Sequence, residues 1–211
     1  MPEKIKKTTN LRKLVFLAQK NAYFFQDLDS RAYGRIKKGK HHELYPLRSS
    51  NFEDWLSAIN YKEFDEVASS KLKLDAMEHL EGETKFSGKT HEVGLRVIGN
   101  EEFIELDLGD KDWKSVYITK DGFKVRKHKN FFYRNNSMKA LPVPCRDKLD
   151  DDWVESIFNI SGNNQSMLIM GWLVGCFMSE GPRPMLVIQG EQGSGKSFLA
   201  SILRGLVDPA K

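Results

Sequence analysis

Eight consecutive residues, Gly190, Glu191, Gln192, Gly193, Ser194, Gly195, Lys196 and Ser197, fit the pattern G-x-x-x-x-G-K-[ST]. Each fixed position has a chemical reason for its residue type. Glycines at 190, 193 and 195 let the backbone turn with positive φ and approach phosphate oxygens, so that consecutive N–H groups can wrap an anion. Lys196 sets a compact positive charge against the β- and γ-phosphates, and the Ser197 hydroxyl completes the coordination of Mg²⁺. The expected ATP-binding set is therefore Gly190 to Ser197 with Phe198, with Lys196 as the candidate catalytic residue and Ser197 as the candidate metal ligand.

Such a loop needs a strand to deliver it and a helix to leave it. Met185 to Ile188 is an apolar run of strand type, and from Ser197 onward Phe198, Leu199, Ile202, Leu203 and Leu206 form one apolar helical stripe. That helix would aim its positive dipole end at the phosphates, and Gly205 and Pro209 mark its close. Upstream, Asp150 to Ile160 and Asn164 to Met178 read as two helices, the second broken by Gly181-Pro-Arg-Pro. Asp150, Asp151 and Asp152 stand where a helix start favours acid, which explains them without catalysis. Hydrolysis asks for more: an acid on a later strand, a polar sensor and an arginine. None follows before Lys211, so the sequence reads as a fragment of a P-loop ATPase that lacks the Walker B strand, sensor and arginine finger.

The long region before the loop divides by its periodicity. Thr8, Thr9 and Asn10 are capping types before a short helix with Leu11, Leu14, Val15 and Leu17, and Ala22 to Phe25 with Arg31 to Ile36 suggests a hairpin. Ser50 is placed to cap a helix carrying Phe52, Trp55, Leu56 and Ile59, and Ser70 another carrying Leu72, Leu74, Met77 and Leu80. From His91 to Tyr133, short alternating runs broken by Gly-Asn, Gly-Asp and Asp-Gly predict an antiparallel meander. Asn135 to Pro144 reads as a linker. The expected fold class is an α+β N-terminal region, short helices plus an antiparallel β meander, followed by the start of an α/β P-loop NTPase domain. The expected divisions are a mixed helical and hairpin accessory region over 1–90, a β-rich region with linker over 91–144, and a helical lead-in with incomplete ATPase domain over 145–211.

Composition limits the partners. With 33 Lys+Arg against 29 Asp+Glu the chain carries +4, which permits nucleic acid without demanding it. Lys124 to Arg134 interleaves basic with aromatic residues, the composition that follows a phosphate backbone and stacks bases, and makes Lys124, Arg126, Lys127, Lys129 and Arg134 candidate nucleic-acid contacts. A strand with a solvated basic face accounts for the same pattern. Arg35 to His42 is a second basic cluster, read as a hairpin turn with a solvated charge run or, as the lesser alternative, a nucleic-acid contact, and its adjacent histidines lack metal-ligand spacing. His79, His91 and His128 are isolated. Cys145 and Cys176 lie far apart without C-x-x-C spacing, which fits a reduced cytoplasmic compartment and argues against zinc. No signal-peptide pattern opens the chain, and the most apolar stretch, Met167 to Met178, is shorter than the ~20 residues a bilayer span needs. It reads as a buried helix.

The run from Gly171 to Pro209 resembles the ATPase start of phage and plasmid ATP-binding proteins of the primase-helicase type, loosely similar to superfamily-three helicases. The resemblance rests on Gly171-Trp172-Leu173, Gly181-Pro182, the loop itself and Leu206 to Pro209. The upstream Asp107-Leu108-Gly109, Ile118-Thr119 and Gly122 look like markers of the β-rich region that precedes such ATPases, and the segment with Ser49, Phe52 and Leu56 is similar as well. It implies a replication-associated ATPase acting on DNA, assembled as a homo-oligomeric ring, with ATP and Mg²⁺ as cofactors and no membrane.

Two other readings stay open. The loop alone does not name a phosphate acceptor, so a P-loop small-molecule kinase fragment fits it too. A non-enzymatic DNA- or protein-binding module carrying a broken ATPase fits the long β-rich region.

Overall fold

The computed structural model describes residues 9–146, 153–158, 163–179, 181–182 and 185–210. In chain order the elements are α1 (Asn10–Asn21), β1 (Ala22–Gln26), β2 (Ala32–Lys38), β3 (His41–Pro46), α2 (Ser50–Phe64), α3 (Ser70–Ser87), β4 (Lys89–Thr90) and β5 (Val93–Gly94). There follow β6 (Val97–Gly99), β7 (Phe103–Asp107), β8 (Lys114–Thr119), β9 (Gly122–Lys127), β10 (Phe131–Phe132), α4 (Trp153–Phe158), α5 (Asn163–Cys176) and α6 (Lys196–Val207). The class is mixed α and β, with helices and antiparallel strands.

The chain divides into two compact units. The first takes residues up to Val93 together with 131–133, and the second takes 94–130 together with the residues from Arg134 onward. In the first, the sheet has the order β3-β2-β1-β4, antiparallel except for the parallel β1–β4 pair. Its strands alternate strictly. Ala22, Phe24, Ala32, Gly34, Ile36 and Tyr45 face the three helices, where Leu14, Ala18, Phe52, Leu56, Ala76 and Leu80 complete a dry core. Each helix begins on a hydroxyl that accepts an otherwise orphaned backbone N–H: Thr9 from Arg12, Ser49 from Phe52 and Ser69 from Leu72. The last two caps lie one residue before the expected Ser50 and Ser70, which instead become the first helical residues.

In the second unit, β6-β7-β8-β9 form the meander expected from the turn spacing. One face is apolar, with Leu106, Leu108, Val116, Ile118, Phe123 and Leu141. The other departs from the simple rule that polar residues face water. Glu105, Asp107 and Ser115 are fully buried on it, paired by Arg126, Arg134 and Asn130. The segment read as a linker forms no helix or strand, but it is tied down: Lys139 N–H donates to Pro209 O at 2.9 Å and Leu141 N–H to Leu108 O at 2.8 Å.

Two expectations change. The apolar helix α5 is not buried all round: it sinks Ile169 and Leu173 against α4 and α6 but leaves Met167, Leu168 and Val174 exposed, because too few described elements pack on it. The run Met185 to Ile188 joins no sheet among the described residues, since a strand is defined by ladder partners and no described strand pairs with it. Asp150, Asp151 and Asp152 lie outside the described residues.

Candidate nucleotide-binding loop

The loop from Gly190 to Ser197 is built on the residues that the pattern requires. Gly193 and Gly195 have φ of +83° and +81°, a region that side chains enter only with strain. Gly190, expected to share it, has no positive φ, and a Cβ there would stand 2.8 Å from the Ser194 hydroxyl oxygen, which rotation of that side chain relieves. Ser194 N–H donates to Glu191 O at 3.3 Å and closes the turn, and Leu199 N–H donates to Gly195 O at 3.0 Å as the first bond of α6. Gly195 is the N-cap and has no capping side chain. The N–H groups of Lys196, Ser197 and Phe198 open the helix, where no preceding turn supplies carbonyls, and they point with the positive end of the helix dipole.

Lys196 reaches back across the loop. Its ammonium donates to Gly190 O at 2.9 Å and to Glu191 O at 2.6 Å. The charge is thus held against the backbone of the glycine turn, on carbonyls that an anion could replace as its partners. Glu191, Gln192, Ser194, Ser197 and Phe198 are exposed around the rim. The residues present fit a phosphate cradle: positive-φ glycines at 193 and 195 and a lysine held against their turn.

Behind the loop, α6 buries Leu203 and packs Leu199 and Val207 against Val154, Ile169 and Leu173, with Leu186 joining from the segment before the loop. Phe198 and Leu206, expected on the packed stripe, are exposed instead. A cavity of about 390 Å³ remains between α5, α6 and this segment, lined by Trp172, Cys176, Leu186, Ile188, Leu203 and Val207 among others.

The far end of α6 is fastened by a residue that the sequence reading passed over. Arg96 is buried, and its guanidinium donates to Asp208 Oδ1 at 2.6 Å, to Asp107 O at 3.1 Å and to Lys139 O at 3.0 Å. The signal lay in the run VGLRVIG, where an arginine alternates with apolar residues. Between β5 and β6 the chain buries Gly94, Arg96 and Ile98 and exposes Leu95.

The five candidate nucleic-acid residues separate by environment. Arg126 lies 3.6 Å from the Tyr117 ring centroid and pairs with the buried Glu105. Arg134 lies 3.9 Å from the Trp113 ring and donates its Nε to Asp107 Oδ2 at 2.7 Å. Both are therefore engaged within the second unit. Lys124, Lys127 and Lys129 are exposed on and just beyond β9, an edge strand where lysines also discourage strand addition. Burial holds the His128 imidazole below its usual pKa, so it is a neutral group at pH 7.

No family model, curated protein or solved structure matches the chain. Its functional reading therefore stands on the residues and geometry described above. Among the described residues no group of three or more His, Cys, Asp and Glu side chains is placed to hold a metal ion, and no helix is long and apolar enough to cross a membrane.

Proposed function

We propose that the chain is the ATP-binding opening of a replication-associated P-loop ATPase, of the helicase or primase-helicase type, acting on DNA. The observation that carries the nucleotide part is the loop itself, in which Lys196 bridges two carbonyls over a turn whose glycines at 193 and 195 have positive φ. In this reading the loop N–H groups and the start of α6 bind the phosphates, Lys196 places its charge on the β- and γ-phosphates, and the Ser197 hydroxyl supplies a metal ligand. Bound Mg²⁺ would neutralise charge on the phosphate oxygens. The helicase assignment, the ring and the DNA partner rest on the resemblance of 171–209 to phage and plasmid ATPases.

The test is equilibrium binding of a fluorescent ATP analogue to the full chain with Mg²⁺. Lys196→Ala is expected to abolish binding while leaving the circular dichroism spectrum unchanged. Unchanged affinity in that variant would overturn the phosphate-cradle assignment.

A further inference from the structure

The first unit has a sheet with two unlike faces. Strand alternation sends Tyr23, Phe25, Tyr33, Arg35, Lys37, Leu44 and Lys89 away from the helices, because Tyr23 pairs with Arg35, Phe25 with Tyr33 and Lys89, and Arg35 with Leu44. His91 follows on the same side, with its N–H donating to Gln26 O. Phe131 lies over Phe25 at 4.6 Å between ring centroids and against His91 at 4.7 Å. Tyr23 stacks on Phe25 at 5.8 Å, and its hydroxyl is 2.9 Å from His91 Nε2. These contacts fix the rings as a platform instead of leaving them to rotate. Phe25, Tyr33 and Leu44 are buried beneath it, while Tyr23 stays 40% exposed and His91 and Phe131 remain partly open.

Three basic side chains border the platform, with Asp27 and Glu92 as the acids nearest to it. Arg35 stands 5.5 Å from the Phe131 ring centroid, and Lys37 and Lys89 are exposed at either side. None of the three has a carboxylate partner among the described residues. Asp27, the acid nearest in register, accepts the N–H groups of Asp29 and Arg31 and is hydrogen-bonded to the Tyr33 hydroxyl.

We infer that this face binds single-stranded nucleic acid, with bases stacking on Tyr23, His91 and Phe131 and the phosphates tracking Arg35, Lys37 and Lys89. The unpaired form is the one selected, because a ring fixed on a protein surface can stack only on a base whose face is free of a duplex. The inference draws on the first unit alone, so it stands or falls separately from the nucleotide reading of Lys196.

The experiment is fluorescence anisotropy of labelled dT20 and rU20, and of a duplex of equal length, with the full chain and no nucleotide across a salt series. Binding of either single strand in preference to duplex is expected, and the two oligomers tell DNA from RNA. Tyr23→Ala should weaken it about tenfold, the loss of one stacked base, whereas Tyr23→Phe, which keeps the ring and removes only the bond to His91, should retain it. Lys37→Ala with Lys89→Ala should flatten the slope of log K against log salt by roughly 1.4, the expectation for two contacts to a single strand. The inference is overturned by no binding at low salt, by preference for duplex, by equal loss in Tyr23→Phe and Tyr23→Ala, or by a salt slope that responds only to Lys124→Ala, Lys127→Ala and Lys129→Ala on β9.

Discussion

Arg134 does its work through two neighbours at once: the plane of its guanidinium lies on Trp113, and its Nε and Nη2 close on the two oxygens of a carboxylate that no water reaches. Removing one partner from such a pair strands the other charge. Arg134→Met is therefore expected to lower unfolding free energy by about 3–5 kcal/mol, and Lys124→Ala, on the exposed edge, by less than about 0.5 kcal/mol. Urea unfolding of the two variants measures the contrast, and equal effects would mean that Asp107 is hydrated in the native state. Titration tells the same story from the other direction. Burial, and then the charge and hydrogen bond of Asp27, push the Tyr33 hydroxyl up to about 12. Between pH 10 and 12 the folded chain keeps a proton that the unfolded chain releases, so stability is complete below pH 10 and is lost as pH rises through this window. Tyr33→Phe should remove that part of the loss in unfolding measured as a function of pH. His128 has the opposite slope, since its imidazole is held below the usual value and the unfolded chain takes up the proton first as pH falls below about 6.5. Stability should fall toward acid, less steeply in His128→Gln.

At the scale of elements, α6 is pinned at both ends, by Gly195 as its N-cap and by Arg96 on Asp208 just past its last residue. A double-mutant cycle of Arg96→Lys and Asp208→Asn should give a coupling of about 0.5–3 kcal/mol, read from thermal or urea unfolding, and additive losses would show that the pair carries no energy of its own. The glycine pattern that begins α6 was legible because Gly193 and Gly195 have a backbone reason. The helices α1 to α3 and the meander were legible too, through caps, apolar spacing and turn dipeptides. Arg96 was not. An inward arginine is defined by what it meets, and Asp107, Lys139 and Asp208 come to it from distant positions in the chain. The buried polar face at Glu105 and Asp107 escaped for the same reason, since alternation assigns a side chain to a face but cannot say whether that face is wet. Met185 to Ile188 shows the converse failure: its composition suits a strand, yet pairing belongs to two segments and composition to one.

Across the whole molecule, apolar side chains reach the surface in both units. Met167, Leu168, Val174, Met185, Val187 and Phe198 all stand exposed in the stretch that carries the loop, and the helices of the first unit, which close over a core, also expose Phe16, Tyr61, Leu74 and Phe86. Patches of this kind attract amphipathic dyes and partners. The native chain should therefore enhance anilinonaphthalene sulfonate fluorescence, and Leu168→Gln with Val174→Gln should reduce the enhancement without lowering the thermal midpoint. A dye signal that persists in the double variant would place the sticky surface elsewhere.

The division of the chain also imposes an order of assembly. Phe131 and Tyr133, which pack on Phe25, Tyr33 and Leu44, reach the first unit only after residues 94–130 have been made. When β4 emerges from the ribosome, every helix and strand of that four-stranded sheet is out, but its cover is not. At elongation of about 5–20 residues per second the aromatic face then waits roughly 2–8 seconds, open to any chaperone or nascent neighbour, before its own chain returns to it.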